Sequence, residues 1–321
     1  MLKRDESKFQ KFLNGLKDNF SSFISKMRQI REKEKEEIAL FILACSSILI
    51  LFLITVFVFQ AALPAFKEIG VLDFLFGKSW SPGYGRYGAA PLFFGSFMIV
   101  FGSVILAVAI GVFAAIFLVE YLPRGTADFI KPFIELLAGI PSIIWGFFGL
   151  VFVAPRVADF FDLPVGRTAL TAAIVLSFMI VPTIVSISSE VIEAVPQQYR
   201  RASMALGATK WQTIRGVVLP TAKPGIVASI MLAFGRAIGE TIAVLMIAGS
   251  VPLLPSPFYD YLDPVLPATA TIATEMGETP AYSLHWHALF ALGIMLFIIT
   301  FVVNTAADIY VRRTKRGVIM V

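Results

Sequence analysis

Cysteine is almost missing. The single Cys45, set inside an apolar run, excludes internal disulfides and a cysteine metal cluster and suggests no redox role. Charge is scarce as well: Asp, Glu, Lys and Arg make up 15% of the 321 residues against 57% hydrophobic, and the mean hydropathy of +0.81 excludes a water-soluble globule. The excess of 27 Lys+Arg over 22 Asp+Glu gives a net charge of +5, but the basic residues cluster beside apolar runs, which points to a membrane and not to nucleic acid. Histidine occurs only as His285 and His287; two apart, they turn to different faces of a helix, no acidic ligand stands at a useful spacing, and they read as interfacial residues beside Trp286. No nucleophile with a base and an orienting acid stands out, so an enzyme reading starts weak. The first apolar run is too long and too late for a signal peptide, so no leader is expected to be cleaved and the mature chain is expected to begin at or near Met1.

Long apolar runs are plentiful instead. About 20 apolar residues cross a hydrocarbon core of about 30 Å. Six stretches qualify: Ile38–Leu63, Phe93–Tyr121, Phe133–Val153, Thr168–Ser189, Ile226–Ala248 and Ala288–Ile309. Ten Lys+Arg precede the first, five lie in Ser189–Gly225, and Arg312, Arg313, Lys315 and Arg316 follow the last, so the positive-inside rule puts these sides and both termini in the cytoplasm. The segment Val251–Leu284 has no Lys or Arg, carries Asp260, Asp263, Glu275 and Glu278, and opens on Pro252, Pro255 and Pro257; it reads as a turn-filled external connection. The expected organisation is therefore an N-terminal helix over 1–37, a first transmembrane helix over 38–64, an external loop over 65–92, a five-helix core over 93–310 with a cytoplasmic loop at 190–225, and a basic tail over 311–321. In the N-terminal segment Phe9, Phe12, Leu13, Leu16, Phe20, Phe23, Met27 and Ile30 recur every three or four residues apart from Lys8, Lys11 and Lys17. Such an amphipathic helix either rests on anionic lipid or packs on its own bundle.

Two nucleotide-like patterns fail on context. Gly83, Gly85 and Gly88 have dinucleotide-site spacing but sit in the external loop, where they read as a turn carrying exposed Trp80, Tyr84 and Tyr87. Gly77-Lys78-Ser79 resembles a P-loop end, yet the required earlier glycine is Leu72. More informative is the loop after the fourth stretch. Pro196 to Leu206 predicts a short helix closed by Gly207, and Thr209 with Gln212 forms a capping-box pattern that opens a second short helix ending at Pro220. Met204, Leu206, Trp211 and Ile214 make this knob too apolar for a solvated loop, so it looks built to dock a partner.

That loop resembles the EAA signature of ABC-transporter permeases: Ala202-Ser203, Gly207 and Val217-Val218-Leu219-Pro220 keep its spacing, with Arg201 where the pattern has glutamate. The resemblance narrows to the PstC-type permeases of phosphate importers through Trp80-Ser-Pro, Tyr87-Gly-Ala-Ala-Pro91, Ile134 to Ser142, Ala233 to Thr241 and Ala270 to Glu278, and it covers about residues 38–310. The PstA-type sister subunit shares part of the fifth-span pattern but has a different first external loop. The resemblance implies an all-α, six-span membrane protein with a type I importer (MetI-like) core in a prokaryotic inner membrane. It implies a sister permease of PstA type, two copies of a cytoplasmic ATPase that docks on Arg201, Ala202, Ser203, Gly207, Trp211, Leu219 and Pro220, and an external phosphate-binding protein. Membrane lipid surrounds the chain, nucleic acid is not a partner, and no cofactor is bound by the chain itself, ATP being used by the partner. Permeases for sulfate, molybdate or phosphonate and the PstA-type sister subunit remain alternatives, as does, in a different class, a membrane-embedded enzyme or a scaffold.

Arg236 and Glu240 stand inside the fifth apolar stretch, where a central Arg costs roughly 2.5–3.5 kcal/mol on insertion. Four residues apart on one helix, they are expected to share a face and to be able to pair. One reading is a self-neutralising ion pair. The other has Arg236 offering donors to an oxyanion in a water-accessible pathway while Glu240 restrains it. Gly235 and Gly239 on the same segment are expected to let another helix approach closely and fit a buried, subunit-facing surface. Pro141 and Pro182 are each expected to kink a span, with Ser142 and Thr183 beside them placed to satisfy freed carbonyls; the kinks either pack the bundle or line the pathway.

Overall fold

Backbone that crosses a lipid core must satisfy its own hydrogen bonds, and an apolar chain of this kind does so as helices. The computed structural model describes residues 35–319, so the helix expected over 1–37 falls outside the described residues save for its last three positions. Among the described residues six helices are long and apolar enough to cross a membrane: Ile38–Ile69, Ala90–Tyr121, Ser142–Phe161, Ala169–Glu193, Lys210–Ile238 and Leu284–Ala306. The chain divides into two units, residues 1–58 and Phe59–Val321. The first contains most of α1 (Lys35–Ile69), whose side chains Leu43, Ile48 and Leu51 are exposed.

In the second unit, α1 ends at Ile69 and is followed by α2 (Val71–Phe76) and a small antiparallel pair, β1 (Trp80–Ser81) with β2 (Arg86–Tyr87). The second span is α3 (Ala90–Ile116), extended through a π-helical turn to Tyr121. Next come α4 (Arg124–Ala138), then α5 (Ser142–Phe148) and α6 (Ala154–Phe161) joined by a second π turn, and α7 (Ala169–Glu193). The loop helices are α8 (Gln197–Ala205) and α9 (Lys210–Thr213); a third π turn carries α9 into α10 (Leu219–Ile238). The chain closes with α11 (Ile242–Ile247), α12 (Ala268–Glu275) and α13 (Leu284–Ile319). Helices α3 and α7 pack most extensively, around Ile99, Val175, Leu176, Met179 and Ile180, and α10 and α11 add Ala233, Ala237 and Ile247.

Four expectations need correction. The third apolar stretch is broken at Gly139–Pro141: Pro141 stands at the N-terminal boundary of α5 and ends one helix before the next begins, so it separates two helices where a kink was expected. Pro182, by contrast, sits inside an unbroken α7. The fifth span begins at Lys210 and stops at Ile238, because α9 runs without interruption past Pro220, which falls in the first turn of α10 where its missing N–H costs nothing. The acidic connection holds a helix, α12, packed on α3 and α13 through its buried Ala268, Ala270 and Thr271. Trp80 and Tyr87 are buried, at 2% and 8% exposure, and only Tyr84 of the three aromatics is exposed. Within the chain the tightest helix approaches are at other glycines than Gly235 and Gly239. A methyl group on Gly111 would stand 2.8 Å from Ile184, and one on Gly225 would overlap Val191, whereas on Gly235 its nearest neighbour is Asn304 at 3.6 Å.

Candidate functional site

Arg236 lies in the last turn of α10 and is exposed. Its Nη1 donates to Thr183 Oγ1 on α7 at 3.3 Å, and its Nη2 donates to the carbonyl of Ala138 at 3.2 Å. Ala138 is the last residue of α4, so the guanidinium satisfies a carbonyl at a helix C-terminus, where positive charge is favoured. The expected pairing with Glu240 does not form. Helix α10 stops at Ile238, Glu240 leaves its face, and Glu240 Oε1 accepts the N–H of Ala243 in the first turn of α11 at 3.2 Å. Among the described residues no carboxylate pairs with Arg236. Ser142, half-buried, opens α5 just past the break that supplies Ala138. Thus two interrupted helices, at Gly139–Pro141 and Gly239–Thr241, are tied together by Arg236, while Glu240 fastens the second break through Thr269 Oγ1, which donates to its carbonyl at 3.0 Å. Interrupted backbone at membrane depth is tolerated where protein or a water-lined cavity surrounds it.

The loop end is built as its capping signals require. Thr209 Oγ1 accepts the N–H of Gln212 at 3.3 Å, and Gln212 Oε1 accepts the N–H of Thr209 at 2.7 Å. Gly207 takes φ +84°, the left-handed conformation that turns α8 into α9. Ser203 and Thr213 hydroxyls, 3.0 Å apart, join the two helices. Arg201, Ala202, Met204, Leu206, Trp211 and Pro220 are exposed, Leu206 at 90%, while Leu219 is half-buried. This is an apolar, rigid, outward-facing knob. The neighbour of Arg201 went unremarked in the sequence: Arg200 is buried and pairs with Glu120 at 2.8 Å, a contact between residues 80 apart in the chain.

The model of the binding-protein-dependent transport system inner membrane component family matches residues 107–316. The chain belongs to this family, as a PstC-type permease. YqgH of Bacillus subtilis, a probable ABC transporter permease protein, is 37% identical over 281 residues, 85% of this chain and 90% of its own length. The phosphate transport system permease protein PstC of Mesorhizobium japonicum is 34% identical over 273 residues, covering 79% of this chain and 82% of its own, and that of Pasteurella multocida is 35% identical over 271 residues, covering 78% and 83%. Among solved structures, a bacterial alginate ABC transporter bound to its periplasmic protein aligns over 89% of this chain and 96% of its own with TM-score 0.61 at 14% identity. The MetNI methionine transporter aligns over 68% and 93% with TM-score 0.52 at 19% identity. Both likenesses concern the fold. The permease is therefore a multi-pass inner-membrane protein.

At the opposite end of the permease from its loop knob, a half-buried network replaces the open loop expected around residue 80. Trp80 Nε1 donates to both carboxylate oxygens of Glu275 at 3.1 Å, and His285 Nε2 lies 2.7 Å from Glu275 Oε2. Thr279 bridges the far ring nitrogen of His285 at 3.2 Å and the Glu275 carbonyl at 2.7 Å. Trp80 and Tyr87 meet edge to face at 5.9 Å, and burial, then the negative charge of Glu275 and Glu68, raise the Tyr87 phenol above its ordinary range. His285 and Glu275, ten residues apart, come together because the chain turns back between α12 and α13. His287 turns away to the carbonyl of Ala61, 2.6 Å from its Nδ1.

Proposed function

We propose that this permease is the PstC-type subunit of an ATP-driven importer of inorganic phosphate. It forms the pathway with a PstA-type sister subunit, rests on two copies of a cytoplasmic ATPase through the knob at Pro196–Ile214, and receives phosphate from an external binding protein. Both termini and the knob face the cytoplasm. The chain has no ATPase site of its own and works as gate and lever: closure of the ATPase pair pulls the loop and rocks the spans. The observation that carries the reading is Arg236. Its guanidinium is exposed, has no carboxylate partner among the described residues, and is held only by a hydroxyl and one carbonyl. Such a group has donors left for an oxyanion and binds it without the trap that a second fixed cation would make. Thr183 and Ser142 border the same break and line the pathway, and Glu240 holds the turn beside it.

The test is uptake of labelled phosphate into proteoliposomes holding this chain, its sister permease and their ATPase, with binding protein outside and ATP inside. Uptake that requires every component, resists excess sulfate and is lost in Arg236→Ala is the expected result. An assembled complex with active ATPase and no phosphate uptake would overturn the substrate.

A further inference from the structure

Two adjacent arginines at the start of α8 part company. Arg201 is exposed, whereas Arg200 is 6% exposed and turns toward the bundle. Its Nε and Nη2 both donate to Glu120 Oε1, at 3.0 and 2.8 Å; Nη2 also donates to the Ile192 carbonyl at 2.7 Å, and Nη1 donates to the Val195 carbonyl. Glu120 belongs to the π turn that ends the second span, and Ile192 and Val195 end the fourth. One side chain thus holds three elements: the loop helix, the last turn of the second span and the open C-terminal carbonyls of the fourth, where a cation is favoured. Ala115, Ile116, Ile192, Val195, Ile214 and Val218, from the same two span ends and the turn that follows α9, form a buried apolar cluster. A cavity of about 330 Å³ opens beside the pair, lined by Glu120, Lys131, Glu193, Arg200 and Met204, so packing does not close the pair off there. The guanidinium is suited to this work because its planar fork reaches a carboxylate and two carbonyls at once, which a lysine ammonium on a single point cannot reproduce.

We propose that Arg200 is the positioning residue of energy coupling: the Arg200–Glu120 pair makes α8 and the ends of the second and fourth spans move as one body, so that a displacement of the knob reaches the bundle. This rests on the reading of the knob as the ATPase-facing lever. Removing one partner alone leaves a buried, uncompensated charge and endangers folding, whereas replacing both with apolar groups of similar volume is tolerated in other buried pairs. The decisive variant is therefore the double Arg200→Met/Glu120→Leu, beside Arg200→Lys, in the full complex with sister permease, ATPase and binding protein. Two measurements are made on it: phosphate moved per ATP hydrolysed, and the distance between spin labels at Gln198→Cys and Phe117→Cys in a Cys45→Ser background, without nucleotide and with trapped ATP. The expected double variant keeps ATP hydrolysis within about threefold while phosphate moved per ATP falls about tenfold or more, and its label distance broadens or shifts on ATP where the parent's does not; Arg200→Lys falls between. A parent-like transport ratio and an equally fixed distance in the double variant would overturn the proposal. Should the parent complex move no phosphate at all, the substrate reading falls, and the label distances still decide whether the clamp exists.

Discussion

Arg236 and Arg200 answer the same problem, a cation in an apolar setting, in opposite ways. Arg200 is buried and meets a carboxylate and two carbonyls, while Arg236 is exposed and meets a hydroxyl and one carbonyl. Were Arg236 only a structural clasp neutralised by Glu240, removing both would be tolerated; since Glu240 is engaged with Ala243, the double Arg236→Ala/Glu240→Ala is expected to stay as inactive in phosphate uptake as Arg236→Ala, a loss of about tenfold or more, and Arg236→Lys to retain only part of the activity. Recovery of uptake in the double variant would return the pair to a structural role. Tyr87 supports a prediction in pH. Its phenol keeps its proton in the folded protein to higher pH than in the unfolded chain, so its contribution to stability is complete below about pH 10 and is lost as pH rises from there through the raised folded value. Thermal melts of Tyr87→Phe between pH 9 and 11 are expected to decline less steeply than those of the parent, and identical slopes would refute a raised phenol.

At the scale of elements, local signals were legible and long-range ones were not. Thr209, Gln212 and Gly207 announce the helix-turn-helix of the loop because a capping box and a left-handed turn are made by residues three apart, and the structure forms both. Thr209→Ala is accordingly expected to cost about 1 kcal/mol, and Gly207→Ala a similar or larger amount through the left-handed φ. Both are measurable as lowered melting temperature with the ATPase absent, and no change in either would show that the loop is held by packing alone. The break at Gly239 was hidden for a physical reason. Hydropathy counts apolar side chains and not hydrogen bonds, and Ile242–Ile247 continues the apolar run across the interruption, so the window slid toward the C-terminus and placed Glu240 on the face of Arg236. Pro141 offered a signal that could have found the other break, since the residue before a proline is driven out of helical geometry. The contacts of Glu120 with Arg200 and of Trp80 with Glu275 had none, for they join residues 80 and 195 apart through the packing of separate helices.

For the whole molecule, the polar ends of the bundle differ in chemistry, and that difference should decide which way it faces. One end carries Arg200, Arg201, Lys210, Arg215 and Lys223 on or beside the knob; the other carries Val251–Leu284, with four carboxylates and no Lys or Arg. Basic residues near span ends resist translocation, whereas acidic ones contribute little to orientation, so the proposed orientation has the knob on the side where ATP is found and the acidic connection on the opposite side. The odd arrangement of a single cysteine makes this directly testable, because Cys45→Ser leaves a chain with no thiol. In that background, Ser256→Cys, at an exposed position of the acidic connection, is expected to react with a membrane-impermeant maleimide in intact cells, and Ala208→Cys only after the membrane is permeabilised. Reaction of Ala208→Cys from outside, with Ser256→Cys protected, would put the knob where no ATPase can reach it and would remove the lever from the mechanism, whatever the role of Arg236.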